Sequence, residues 1–80
     1  MKALLLVTLT MINASGEPVA TSSINVLPES SMCSSAMKEV VSHNNLSNNI
    51  FSLTRTKIKA RRDNKTLTVT CEELEIKNVP

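Results

Sequence analysis

Aromatic residues are almost missing from this 80-residue chain: Phe51 stands alone, with no Trp and no Tyr. That excludes a core built on large rings. It also excludes the row of stacking aromatics that single-strand nucleic-acid binders use. A single glycine, Gly16, excludes a glycine-rich phosphate loop. A single histidine, His43, leaves general-base chemistry one candidate. Charge of one sign is not in excess either. Nine basic and seven acidic residues give a net charge of +2, too mild to imply a nucleic-acid partner. No apolar run approaches the roughly 20 residues that cross a bilayer as a helix, so no transmembrane span is expected.

What is present fits one small domain, residues 1–80. The hydrophobic fraction of 41% suffices for a globular fold, with a core of Leu, Val, Ile and Met. A chain this short buries only about 60% of its unfolded surface, so its stability is marginal.

The densest apolar stretch is Met1 to Ile12, and it reads two ways. Lys2, the apolar run behind it and the small residues Ala14, Ser15 and Gly16 resemble a secretion signal, residues 1–16, leaving a mature module of 17–80. Against this, Val7, Leu9 and Met11 alternate with Thr8 and Thr10. Alternation is the mark of a half-buried strand, and a signal segment has no need of it. The strand reading is preferred, over about 3–12. A second strand follows over about 19–27. Pairing Met11 with Ala20, Leu9 with Ser22, Val7 with Ile24 and Leu5 with Val26 sorts apolar from polar in both strands.

Pro28 ends that strand, and Ser30 or Ser31 offers a helix cap. Cys33, Ala36, Met37, Val40 and Asn44, with Val41 beside them, follow helical spacing. They predict a helix over about 31–44 with one apolar stripe. The asparagines at 44, 45, 48 and 49 then break it, because Asn tolerates the left-handed backbone. Two further strands, about 50–61 and 66–76, flank a tight turn at Asp63-Asn64. Turning there pairs Ala60 with Leu67, Ile58 with Val69 and Thr56 with Cys71 on one face. Lys59/Thr68, Lys57/Thr70 and Arg55/Glu72 fall on the other. Leu53/Leu74 and Phe51/Ile76 then land on the polar face, which a bulge or a second cover must explain. The expected fold is α+β: ββαββ, a four-stranded antiparallel sheet with one helix on one face and the first strand interior.

Cys33 opens the helix on its buried stripe, and Cys71 lies on the inward face of the last strand. They are either a disulfide or two buried free thiols; the compartment decides, and the sequence leaves both open. A metal site joining them to His43 is excluded, since Cys33 and His43 lie about 15 Å apart along one helix. The same separation removes His43 as a base for a Cys33 nucleophile. His43 instead complements the negative end of the helix. No catalytic residues, metal ligands or cofactors are assigned, and the chain reads as a non-enzyme.

Arg55, Lys57, Lys59 and Arg61 alternate along one strand face about 6.8 Å apart, with Arg62 and Lys65 nearby. Such a row can follow a nucleic-acid backbone or another anionic surface. The favoured alternative is a solvated strand whose cations discourage edge-to-edge pairing. Three glycosylation sequons, at Asn13, Asn45 and Asn64, are no more than an Asn- and Ser-rich composition produces by chance.

The layout resembles small uncharacterised proteins encoded by tailed phages. The matching pieces are MKALLLVTLTM, Gly16-Glu17-Pro18-Val19, Cys33 with Ala36, and Thr70-Cys71. The long basic strand departs from that group. The resemblance implies a viral origin and supplies no activity to carry over. With no catalytic constellation in the sequence, the functional expectation is a non-enzymatic accessory or inhibitor-type module that binds another protein, in the cytoplasm (of a host cell if the origin is viral). The alternatives are an anion binder working through Arg55–Arg62 and a secreted or periplasmic disulfide-stabilised module.

Overall fold

The structure, a computed structural model, describes residues 2–74. Along the chain come β1 (Lys2–Ile12), β2 (Pro18–Leu27), a short 3-10 turn (Ser30–Met32), α1 (Cys33–His43), β3 (Ile50–Leu53), β4 (Lys57–Arg62) and β5 (Lys65–Leu74). The strands form one antiparallel sheet in the order β2-β1-β5-β4-β3. The helix packs on one face, over β5, β1 and β4. The α+β class is as expected, and β1 is interior. No helix among the described residues is long and apolar enough to cross a membrane.

The sheet has five strands where four were expected. The predicted strand 50–61 is two strands, because the chain reverses at Thr54–Thr56. The Thr54 hydroxyl accepts from the Lys57 and Thr56 amides at 3.0 and 3.3 Å, and the Thr54 amide donates to the Lys57 carbonyl at 2.8 Å. A hydroxyl closing its own turn in this way competes with strand continuation. The reversal removes the misplaced apolar pairs. Leu53 faces Ile58 rather than Leu74, and a register shift between Ile50 and Ser52 turns Phe51 outward. Ile76, its expected partner, lies outside the described residues.

The β4–β5 hairpin has the expected register, with Ala60 opposite Leu67 and Ile58 opposite Val69. The Cys71 amide donates to the Thr56 carbonyl at 2.9 Å, so the pairing reaches Thr56 as expected. Asp63 supplies the positive φ of the turn, at 52°.

The β1–β2 hairpin is one residue out from the expected register. Met11 faces Val19, Leu9 faces Thr21, Val7 faces Ser23 and Leu5 faces Asn25. The turn imposes this. The Asn13 side-chain oxygen accepts from the Ser15 and Glu17 amides, both at 3.0 Å, and the Asn13 amide donates to the Glu17 carbonyl at 2.9 Å. Gly16, at φ 80°, completes the loop in the left-handed region. Hairpin register follows turn geometry unless burial overrules it. Burial has no vote here, because β2 lies beyond the helix and Pro18 to Val26 are all exposed.

The core is one layer between helix and sheet. Ala3, Leu5, Ile58, Ala60, Leu67, Val69 and Cys71 come from the sheet, Met37 and Val41 from α1. Leu46, only 1% exposed, closes the helix-side end from within the Asn-rich loop. The helix begins without the expected serine cap; a 3-10 turn closed by the Met32 amide on the Glu29 carbonyl, 3.1 Å, replaces it. It ends as expected on asparagines, with Asn45 left-handed at φ 57°.

Candidate interaction surface

The helix covers one face of the sheet, so the residues of opposite parity form a second, open face. Alternation assigns them directly. On β1 these are Lys2, Leu4, Leu6, Thr8, Thr10 and Ile12. The slipped register sets Val26 beside Leu4 and Ile24 beside Leu6. The four make an apolar corner, and Ile24 and Val26 are 63% and 60% exposed. Beyond it, Thr8 faces Thr68 and Thr10 faces Thr66. Next comes a cationic row on β4: Lys57 beside Thr70, Lys59 beside Thr68, Arg61 beside Thr66. The open face thus runs from an aliphatic corner bordered by Lys2 and Glu72, through hydroxyl, to basic.

The six cations singled out in the sequence do not form one cluster. Lys57, Lys59 and Arg61 share the row. Arg55 lies exposed in the turn between β3 and β4. Arg62 and Lys65 pair with each other across the hairpin and take the parity of the helix-covered face. There they line a shallow hollow of about 330 Å³ with Met11, Asn44, Asn45 and Asn64. A ligand following the β4 row would meet three cations, not six.

Cys33 and Cys71 are brought to disulfide distance and bridged, with their Cα atoms 5.8 Å apart. The bridge ties the start of the helix to the strand that pairs with both β1 and β4. Neither thiol is then available as a nucleophile or ligand. His43 sits at the far end of the helix, its Nε2 3.8 Å from Glu39 Oε1, both side chains largely exposed. Such a pair adds little in water. Among the described residues no group of three His, Cys, Asp or Glu side chains is placed to hold a metal ion.

The apolar corner was not anticipated. The sequence showed β1 to be apolar on both faces, but the assumed register put Ile24 and Val26 inside. The signal was the Asn13/Gly16 turn, which sets the pairing. Leu46 was missed because it stands alone in a polar stretch with no periodicity around it. No family model matches this chain, and neither a curated protein nor a solved structure matches it.

Proposed function

We propose that this chain is a non-enzymatic accessory or inhibitor-type module that binds another protein, docking it on the open face where β1 meets β2. The supporting observation is the apolar corner of half-buried Leu4 and Leu6 with exposed Ile24 and Val26, beside a hydroxyl-rich surface. Contiguous exposed aliphatic surface with a polar rim is the usual composition of a docking patch. A bridged Cys33, the one nucleophile candidate, supports a role without chemistry. The test is affinity capture from host cells with the native chain and with Leu6→Glu. A specific partner held by the first and lost by the second is expected. Capture unchanged by the charge at position 6 refutes the docking surface.

A second reading draws on the β4 row. Lys57, Lys59 and Arg61 lie in line on an open face, each beside a threonine hydroxyl. A linear anion, such as a nucleic-acid backbone, could span all three. Its affinity would then fall steeply with salt, by a slope of about three counterions for three neutralised phosphates. No gel shift at low salt ends this reading. The bridge also favours an oxidising compartment, a secreted or periplasmic setting, over the cytoplasm. The tailed-phage resemblance stays compatible with either, since a virally encoded protein can be exported.

A further inference from the structure

The two edges of the sheet are treated differently. The β3 edge is four residues long and its pairing is interrupted by a bulge. Short, bulged edges resist pairing with other chains. The β2 edge has none of these devices. It is ten residues long, pairs with β1 in unbroken register and carries no charged residue from Pro18 to Leu27. Its proline sits at the first position only, where it blocks nothing further along.

Main-chain geometry fixes which groups this edge presents. The Ile12 amide donates to the Asn64 carbonyl at 3.1 Å, so Ile12 bonds toward the β5 side. The Asn13 amide donates to Glu17, so the hydrogen-bonded pairs of β1–β2 are the odd-numbered ones. The N–H and C=O groups of Ala20, Ser22, Ile24 and Val26 therefore point away from the sheet, unpaired. They are four donors and four acceptors at regular spacing, on residues that are all exposed.

From this we infer that β2 pairs antiparallel with β2 of a second copy of this chain, joining two sheets into one about a twofold axis through Ser23, so that Ala20 faces Val26 and Ser22 faces Ile24 of the other copy. A twofold axis through a residue always matches outward groups with outward groups, because paired residues then share parity. Self-pairing of a strand usually fails where like charges face each other across the axis. Here the strand has none. The pairing satisfies the free groups of both edges. It also shields part of Ile24 and Val26 and makes Ile24 of the two copies diagonal neighbours across the axis, so that the two apolar corners meet there within a ten-stranded sheet. The basic rows end up at its two outer flanks. A second copy is the occupant that needs no further specificity, since an uncharged edge offers a foreign strand no side-chain code.

This inference does not depend on the docking reading. Edge pairing is sensitive to Ser22→Pro, which removes only an outward N–H, whereas capture on the face is sensitive to Leu6→Glu. Sedimentation of the oxidised full chain over a roughly hundredfold concentration range tests it. A dimer that dissociates on dilution is expected for the native chain. Ser22→Pro and Ile24→Lys are each expected to weaken it at least tenfold, with the circular-dichroism spectrum unchanged. Hydrogen exchange on the native chain reads the same pairing without a substitution. The amides of Ala20, Ser22, Ile24 and Val26 become protected as concentration rises, while those of Val19, Thr21 and Ser23 are protected throughout. A native chain that stays monomeric overturns the inference. So does a dimer that both variants leave intact, or outward amides that exchange freely at every concentration.

Discussion

Breaking the Cys33–Cys71 bridge is the perturbation with the largest expected effect on this fold. The two cysteines are 38 residues apart in sequence. Closing a loop of that length removes chain entropy worth about 4 kcal/mol from the unfolded state. An 80-residue domain has a total stability of about 4–12 kcal/mol. Reduction therefore removes a third or more of it, and at the low end all of it. In temperature this is a fall in Tm of roughly 15–30 °C, at 4–8 °C per kcal/mol for a domain of this size. The assay is urea unfolding of the oxidised chain and of the same chain held in reductant. Reduction leaves both sulfur atoms in place, so the comparison isolates the cross-link from the packing of Cys71, which is buried. The m-value should rise on reduction, because an open unfolded chain exposes more surface. The double variant Cys33→Ala/Cys71→Ala should lose somewhat more than reduction alone. A loss below about 1 kcal/mol with equal m-values would refute the argument that the bridge acts through the unfolded chain.

Two smaller predictions concern residues that hold the loops. Leu46→Ala should destabilise by about 2–4 kcal/mol in thermal or urea unfolding, as expected for a fully buried leucine, even though it lies in an irregular segment. Gly16→Ala should cost about 1 kcal/mol; a Cβ there meets nothing within 4 Å, so the whole effect is backbone strain at φ 80°, and Gly16→Asn should recover part of it.

The sequence carried the fold unevenly, and the difference follows burial. The β4–β5 register was legible because both strands lie under the helix, so Ile58, Ala60, Leu67 and Val69 must share a face. The helical stripe was legible for the same reason. The β1–β2 register was misread because hydrophobic sorting was used where no hydrophobic cover exists. An aliphatic residue at position 24 looks like core by pattern, yet only the Asn13 turn decides its side. The split of 50–61 was hidden because Thr54-Arg55-Thr56 has no Gly or Pro to mark a reversal; the hydroxyl of Thr54 makes it. The basic strand was legible as a row of Lys57, Lys59 and Arg61 on one face, but not that Arg55, expected in that row, falls in the turn before it. The apolar corner was out of reach for as long as the register was wrong by one.

The sheet joins the two ends of the described chain: Lys2 is paired with Leu74 and β1 with β5 along their length. Synthesis delivers β1 well before β5, its central neighbour, with β2, the helix, β3 and β4 between them. The β1–β2 hairpin must therefore leave the ribosome with one flank of β1 empty, and the core cannot close until β5 is out. Contacts so distant in sequence make folding slow, and they extend the time during which apolar strands are exposed. For an exported chain, that delay is also the interval in which it can still be threaded through a translocation pore before it locks.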